Sequence, residues 1–364
     1  MISRRRFKQV AAATVFSGLV VLGTTTFLDA PKKKKNFKVC WTIYAGWMPW
    51  YYAKSSGIMD KWAKKYGITV DVVQLIDYVE SINQYTAGSF DGCTMTNMDA
   101  LTIPAAGGVD STALIVGSFS NGNDGIVMKG EGKKLADLKG QQINLVQFSV
   151  SHYLLARALE SVNLTERDVN LVNTSDADLV AAFKTPSVNI VVTWNPLLAE
   201  VAATPKVSML FDSSKIPGEI IDLLVVNSKT LVENPDFGKA LVGAWYEVMA
   251  IMSSNTPQGI AARTQMAEAS GTDLKGFEAQ LATTKMFYTA KDANAFSVNK
   301  ELPATMTKVS QFSFKHGLLG EGARSAESIG MQFANTQTGN AMNVKLRFDP
   351  TFMKMAADGL IKPA

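Results

Sequence analysis

Short apolar runs alternate with amphipathic stretches from Phe37 onward, and this alternation limits the possible folds more than any other feature of the sequence. Apolar runs of about four to eight residues predict buried strands, whereas the stretches between them predict helices. Strands that alternate with helices usually form mostly parallel sheets with helices on their faces. We therefore predict an α/β fold with strands at residues 37–44, 69–75, 91–95, 113–117, 143–146, 169–172, 190–193, 208–211 and 223–226.

Two polar transitions divide this pattern into parts. The run at 118–125 is polar and glycine-rich, and a matching change occurs at 217–220. Two crossings of the chain predict two lobes, one built from residues 37–120 and 225–364 and the other from residues 121–224. The pattern of the C-terminal third is almost wholly helical, with helices expected at 231–253, 257–270 and 274–283 and a polar loop at 335–343. We expect a two-lobed fold with two crossover segments, of the kind that closes around a ligand.

Basic residues are concentrated near the N-terminus. Eight of the 36 lysines and arginines precede Asn36, together with a single acidic residue, Asp29. The remainder of the chain carries 28 basic and 31 acidic residues, so it is weakly acidic. A nucleic-acid-binding protein normally presents a basic surface that displaces counterions from phosphates. We therefore expect no nucleic-acid partner.

Residues 1–30 have the pattern of an export signal. Basic residues at 4–8 precede an uncharged stretch at 10–28, as in the basic and apolar regions of a signal peptide. The arginines before Phe7 resemble a twin-arginine signal, and residues 31–36 would form a basic linker. The alternative is an uncleaved membrane anchor, because the uncharged stretch approaches the length that spans a bilayer. We expect a periplasmic monomer, exported and released or held by this anchor.

Cysteine and histidine are scarce, with two residues of each. Two cysteines exclude a scaffold built on disulfides, and two histidines leave little for a histidine-rich metal site or a Ser-His-Asp triad. We therefore predict no metal, no cofactor and no catalytic residues. Cys40 and Cys93 fall in strand-like runs, so we expect buried thiols, with a disulfide as the alternative in an exported protein.

Aromatic residues are unusually dense after the first predicted strand. Five of the nine residues from Tyr44 to Tyr52 are aromatic. Ligands of open sheets bind beyond the carboxyl ends of the strands, and aromatic faces attract cations and flat solutes. Trp47, beside a glycine, is our candidate from this segment, whereas the aromatic residues at 50–52 fit the core face of a following helix. Trp194, after a later strand, is a second candidate.

Four carboxylates also follow predicted strands or lie at the returning crossover: Asp77, Glu80, Asp99 and Asp222. Asp77 and Glu80 equally fit a helix-capping pattern. Ser149 begins a helix whose free N–H groups could hold an electronegative atom, and His152 follows it, although a single histidine is more often a packed residue.

No arginine falls in these loops, although sulfonate, nitrate and phosphate are usually bound by guanidinium groups. Buried carboxylates instead favour a positive ligand. A small planar cation such as guanidinium fits this set of side chains, and neutral urea fits it less well.

Several blocks of the sequence resemble the solute-binding proteins of ABC importers of the nitrate, sulfonate and taurine type. The blocks are Trp41–Trp50, Asp77–Tyr85, Asn97–Leu101 and Thr193–Pro196. More narrowly, they are similar to the branch associated with urea carboxylase or guanidine carboxylase. The resemblance implies a type II periplasmic-binding-protein fold, a small-molecule ligand and a membrane permease as partner. It also implies that the cleft is surrounded by Trp47, Asn97 to Asp99, Ser149 to His152, Trp194 and Asp222.

The leading hypothesis is an extracytoplasmic receptor that captures guanidinium by carboxylate hydrogen bonds and by stacking between Trp47 and Trp194. One alternative is a receptor for urea or another small amide, and a second is a receptor for an anion such as taurine or nitrate. An enzyme on the same scaffold, such as a pyrimidine-precursor synthase, would need His152, Cys93 or a lysine as a reactive group.

Overall fold

The computed structural model describes residues 34–362. The predicted export signal at 1–30, with its twin-arginine segment and the alternative anchor, lies outside the described residues, as does most of the predicted linker. Within the described part of the chain, no helix has both the length and the apolar character needed to cross a bilayer.

Fourteen strands are present in the described residues. They are β1 (Asn36–Trp41), β2 (Thr69–Gln74), β3 (Gly92–Thr96), β4 (Ser111–Ser120), β5 (Asp124–Lys129), β6 (Gln142–Leu145), β7 (Asn170–Asn173), β8 (Ile190–Trp194), β9 (Val207–Asp212), β10 (Ile221–Asn227), β11 (Thr284–Met286), β12 (Gly330–Gln332), β13 (Gln337–Thr338) and β14 (Val344–Phe348). Each of the nine predicted strands overlaps one of these.

Helices connect most of the strands. Those in the described residues are α1 (Met48–Ser55), α2 (Ile58–Lys65), α3 (Tyr78–Thr86), α4 (Asn97–Ala100), α5 (Val150–Glu160), α6 (Asp176–Lys184), α7 (Leu197–Ala202), α8 (Ser228–Glu233), α9 (Pro235–Met252), α10 (Pro257–Ala269), α11 (Leu274–Ala282), α12 (Ala290–Ser297), α13 (Glu301–Lys315) and α14 (Thr351–Ala357). The helix expected at 231–253 is interrupted at Asn234, because Pro235 has no N–H to continue α8 and instead begins α9.

The strands form two sheets. The nine-stranded sheet has the order β13-β12-β14-β4-β10-β3-β1-β2, with β11 paired to β4, and the five-stranded sheet has the order β7-β6-β8-β5-β9. The chain leaves the first sheet after β4 and returns to it as β10, so all strands of the second sheet come from the segment between these two. The lobe boundaries predicted above stay a prediction: the second boundary, between residues 224 and 225, falls inside β10, whereas no other described strand is divided between the two predicted lobes.

The expectation of mostly parallel strands is wrong. Parallel and antiparallel pairings are equally common among the described strands. Strand β10 lies antiparallel between β3 and β4, and β5 lies antiparallel between β8 and β9. Each of these two strands follows a crossing of the chain from one sheet to the other. Because no helical crossover within its own sheet precedes it, such a strand can pair in the antiparallel sense.

The C-terminal third is less purely helical than its pattern indicates. Four short strands, β11 to β14, join the nine-stranded sheet there, and β14 pairs with β4 in parallel. The stretch around 335–343, expected as a loop, includes β13. Strands of two to five residues leave too few alternating positions for a period to be recognised.

The two cysteines lie opposite each other in the sheet. Cys40 in β1 is the register partner of Cys93 in β3, and both are buried free thiols. The structure therefore agrees with the expected buried thiols and contains no disulfide between them. The apolar core around them is continuous from β1 to the second sheet, and it supports the ends of the strands that carry the candidate site.

Candidate functional site

A small cavity lies where the two sheets approach each other. Its lining comes from both sheets and from the starts of two helices. The lining residues are Tyr44, Trp47, Tyr78, Thr96, Asp124, Val150, Trp194, Ile220 and Asp222. The register explains part of this convergence, because Asp222 pairs with Thr96 across β10 and β3, and Asp124 pairs with Trp194 across β5 and β8.

Four aromatic rings form a continuous wall of the cavity. Tyr44 packs edge-on against Trp47 with ring centroids 4.9 Å apart, and Trp47 stacks on Tyr78 at 5.6 Å. Tyr78 in turn contacts Trp194 edge-on at 5.9 Å, so the wall reaches from the first sheet to the second. The indole Nε1 of Trp47 is buried and has no hydrogen-bond partner among the described residues. An aromatic wall of this kind provides flat, polarisable faces for a small planar ligand.

Among the carboxyls at this cavity, Asp222 has the pKa that burial raises most. Ser118 donates a hydrogen bond to its Oδ2 at 2.6 Å, and the Tyr44 hydroxyl lies 3.3 Å from the same oxygen. Burial raises the pKa of Asp222 to about 8, and repulsion from the Asp124 carboxyl adds to the increase. The side chain is 2% exposed, so solvent contributes little to holding its charge.

Asp124 is a second buried carboxyl in the lining, at the point where the chain enters the second sheet. Its Oδ2 accepts a hydrogen bond of 2.5 Å from Ser120, and Ser120 also bonds with Ser213 at 2.6 Å. Burial raises the pKa of Asp124 to about 7, and the Ser120 hydrogen bond only partly opposes this increase. The two carboxyls are therefore poised to gain or lose protons near neutral pH.

Asp99 lies just behind the lining. Its Oδ2 accepts hydrogen bonds from the Tyr78 hydroxyl at 2.5 Å and from Thr96 Oγ1 at 2.7 Å, and both donors belong to residues that line the cavity. Burial raises the pKa of Asp99 to about 6, while these two hydrogen bonds act in the opposite direction. Asp99 thus orients the Tyr78 ring that contacts both tryptophans.

Positive groups are missing from this environment. Among residues 34–362, no lysine, arginine or histidine lines the cavity, and neither Asp124 nor Asp222 has a salt-bridge partner. An unpaired buried carboxylate is costly, which is the physical reason for the raised pKa values. A bound cation would supply the missing charge.

Two of the predicted carboxylates lie outside this cavity. Asp77 caps α3, where its Oδ1 accepts the N–H of Glu80 at 2.7 Å, and Glu80 is exposed with its carboxylate bonded to Gln84 at 3.0 Å. Asp77 instead approaches Asp176, whose pKa is raised to about 6 by burial and then by the Asp77 charge. The position of Asp77 matches the capping alternative, whereas the Glu80 carboxylate is bonded to Gln84 and accepts no backbone N–H among the described residues.

Ser149 and His152 also lie outside the lining, although they belong to the helix that reaches it through Val150. Ser149 caps α5 by accepting the N–H of Ser151 at 3.2 Å. His152 is buried and faces away, with its Nε2 2.5 Å from Glu166. Of the eight predicted site residues, the structure brings Trp47, Trp194 and Asp222 together in the lining and places Asp99 directly behind it.

Three important lining residues were not among the predicted site residues: Tyr44, Tyr78 and Asp124. Tyr44 belongs to the dense aromatic segment, and Tyr78 directly follows the predicted Asp77. Asp124 lies near the end of the polar run at 118–125 that marks the first crossing, and this run is the signal in the sequence that could have drawn attention to it. Crossover segments lie beside the cleft in a two-sheet fold. Polar residues in them are therefore as good candidates for a binding site as residues at strand ends.

A profile of the family described as NMT1/THI5 like matches residues 47–260, which is more than half of the chain. The chain belongs to this family. A binding protein of Brucella abortus is 22% identical over 200 residues, covering 54% of this chain. The match spans 61% of the length of that relative.

Solved structures extend the comparison to the whole fold of this family member. The alkanesulfonate-binding protein of Xanthomonas axonopodis pv. citri, bound to MOPS, superposes with a TM-score of 0.65 at 16% identity, covering 79% of this chain and 96% of that one. The periplasmic nitrate-binding protein of Synechocystis gives a TM-score of 0.62 at 12% identity, covering 90% and 89%. The predicted periplasmic-binding-protein fold is confirmed by these matches.

Proposed function

We propose that this protein is the solute-binding component of an ABC importer and that its ligand is a small planar nitrogen-rich cation, guanidinium. The protein captures the ligand outside the cytoplasm and delivers it to a membrane permease. It acts as an exported monomer and carries out no reaction on the ligand. Trp47 and Trp194 stack on the ligand, and the buried carboxyls accept its N–H groups.

The importer role is supported by the family and by the fold. Proteins named for binding alkanesulfonate and nitrate share the fold of this chain, and the Brucella relative is named as a binding protein. The cavity draws its lining from both sheets, which is where a ligand enclosed between two lobes would lie.

The choice of a cation depends on one observation, the pair of buried carboxyls without a positive partner at Asp124 and Asp222. Each has a pKa near or above neutrality because burial penalises its charge. A guanidinium ion between them would remove that penalty, and its planar N–H groups suit carboxylate oxygens. A sulfonate or nitrate ion would bring a negative charge into the same cavity, where no described lysine or arginine is available.

Urea is the second candidate, and the indole of Trp47 favours it. The Trp47 Nε1 is a buried donor without a described partner, and the carbonyl oxygen of urea would accept its hydrogen bond. Guanidinium has no acceptor to offer this group. Guanidinium would therefore pair with the buried carboxyls, whereas urea would accept the hydrogen bond of the Trp47 indole N–H.

The enzyme alternative lacks support in the lining. It needs His152, Cys93 or a lysine as a reactive group, and none of these is among the residues that line the cavity. Cys93 is buried in β3, where its thiol lies 3.6 Å from Ser81, and His152 is bonded to Glu166.

A thermal-shift and calorimetry panel tests the proposal with guanidinium, methylguanidinium, urea, taurine and nitrate at low millimolar concentration, with sodium chloride as the ionic control. A ligand at 100 times its dissociation constant adds about 2.7 kcal/mol of stability. We expect guanidinium to stabilise the protein, and its affinity to rise as the pH is raised through about 7 and 8, because it binds the deprotonated carboxyls.

The outcomes separate the candidate ligands. A response to urea alone, with little dependence on pH, would favour the second candidate. Stabilisation by taurine or nitrate and none by guanidinium would contradict the cation assignment while leaving the importer role in place.

A further inference from the structure

The only two histidines of the chain meet at one glutamate, away from the ligand cavity. His152 lies in α5, and His316 follows α13 directly. The two imidazole rings are 4.8 Å apart, and Glu166 lies between them with Oε1 2.5 Å from His152 Nε2 and Oε2 3.0 Å from His316 Nε2. Residues far apart in sequence thus bring two nitrogens and a carboxylate to one point.

His152 is hydrogen-bonded to Glu166, but the contact of His316 with the same carboxylate is not a hydrogen bond. His316 Nε2 is buried and makes no hydrogen bond within the described residues, although a carboxylate oxygen is only 3.0 Å away. The nitrogen is close to Glu166 but its N–H direction is not aligned with the oxygen. The three potential ligand atoms, one from each side chain, all lie within 4.8 Å of one another.

We propose that His152, Glu166 and His316 form a binding site for a single Zn²⁺ ion. Two imidazole nitrogens with one carboxylate are a common zinc ligand set, and a water molecule would complete a tetrahedral site. Magnesium and calcium prefer sites made entirely of oxygen, so this set discriminates against them. Glu166 also lines a surface groove with Phe312 and Lys315, which provides a route for the ion to enter.

Two local contacts oppose the ion and must change when it binds. His152 Nδ1 accepts the N–H of Phe148 at 3.2 Å, and it must carry a proton instead when Nε2 binds the metal. Phe148 is 45% exposed in the turn before α5, so this long hydrogen bond is open to rearrangement. Lys315 Nζ lies 3.5 Å from Glu166 Oε2, and its side chain is 69% exposed, so the ammonium group is free to move into solvent.

The proposal is tested by titrating the purified full-length chain, first dialysed against EDTA, with Zn²⁺ and separately with Mg²⁺. We expect saturable binding of a single Zn²⁺ per chain and none of Mg²⁺. Both His316→Gln and Glu166→Gln should weaken Zn²⁺ binding by at least about 100-fold, because each removes a direct ligand. Substituted Co²⁺ should give the visible absorption of a tetrahedral site in the wild type and lose it in both variants.

Lys315→Gln is the matched control, since it changes the neighbouring residue and leaves every ligand in place. It should bind Zn²⁺ as tightly as the wild type or several-fold more tightly, because a competing positive charge is removed. Circular dichroism would verify that all variants remain folded. The proposal is overturned if the wild type shows no saturable binding, if His316→Gln binds like the wild type, or if Lys315→Gln loses as much affinity as His316→Gln.

Discussion

Buried carboxylates occur in two regions of this protein, and their surroundings are opposite. In the candidate cavity, Asp124 and Asp222 have no salt-bridge partner among the described residues, and burial raises the pKa of both. Glu219, which is 8% exposed, instead lies between Arg157 of α5 and Lys308 of α13 and pairs with both. Burial alone would raise its pKa, but hydrogen bonds from Arg157 and Tyr153 outweigh burial and lower it.

The contacts of Glu219 explain this difference. Arg157 approaches it through Nε at 3.0 Å and Nη2 at 3.3 Å, the Tyr153 hydroxyl donates at 2.6 Å, and Lys308 of α13 lies 3.2 Å away. The Glu219 carboxylate therefore links α5, which lies between the two crossings, to α13 in the C-terminal third. The cavity carboxyls have hydroxyl donors but no positive partner within residues 34–362. Paired acids hold the structure together, and unpaired acids are available to a ligand.

Removing a cavity carboxylate should have the largest effect. Asp222→Asn is expected to weaken guanidinium binding by about 3 to 5 kcal/mol, because it removes one side of a buried charged pair. Calorimetry at pH 8 measures this loss. The exposed Glu80→Gln provides the control and should bind like the wild type. Wild-type affinity for guanidinium in both Asp222→Asn and Asp124→Asn would show that the unpaired carboxyls do not form the ligand site.

Removing the paired carboxylate should destabilise the fold. Glu219→Gln is expected to lower the free energy of unfolding by about 2 kcal/mol, since the Arg157 guanidinium and the Tyr153 hydroxyl lose their charged acceptor. Urea denaturation measures the change. Glu160, the other acidic partner of Arg157, is 70% exposed, so Glu160→Gln should cost less than about 0.5 kcal/mol. Equal costs for the two variants would contradict the structural role of Glu219.

The ligand-free protein should lose stability as the pH rises. An unfolded aspartate has a pKa of about 3.9, whereas that of folded Asp222 is raised to about 8. The folded state therefore binds more protons between these values, and the stabilising effect is lost as the pH rises through about 8. We expect Asp222→Asn to lose clearly less stability than the wild type between pH 5 and 9 in thermal denaturation. Identical pH profiles for Asp222→Asn and the wild type would show that the Asp222 carboxyl does not cause this loss of stability.

The smallest effect is expected from the aromatic wall, and it separates the two candidate ligands. Trp47→Phe keeps an aromatic face but removes the indole N–H, so guanidinium affinity should fall by about 1 kcal/mol or less. Urea would lose a hydrogen bond as well and should be weakened by about 1 to 2 kcal/mol. Trp50→Phe is the control, because Trp50 packs against Trp245 at 5.2 Å and does not line the cavity.

Much of the architecture is predictable from local pattern. The strand expected at 69–75 is found at Thr69–Gln74, and the helix expected at 257–270 is found at Pro257–Ala269. Such elements are recognisable because the spacing of apolar residues records which side chains face the core. The strand β5 and the short C-terminal strands were missed, since their patterns are brief or adjoin polar runs.

The candidate site was predictable only in part. Trp47, Trp194 and Asp222 line the cavity because they follow strands or lie at a crossover, as the rule of strand ends implies. Their role in ligand binding stays a prediction. The polar run at the first crossing includes Asp124, but only the packing of the two sheets brings Asp124 and Tyr78 into one lining.

The sequence by itself determined the positions of most strands and helices, the dense aromatic segment and the scarcity of arginine outside the N-terminal region. Only the tertiary structure decided which acids are paired. Glu219 and Lys308 lie far apart in sequence, as do His152 and His316, and Asp124 and Asp222 meet across two sheets. The charge state of a carboxyl depends on burial and on the groups within a few ångströms, and those neighbours are set by long-range packing.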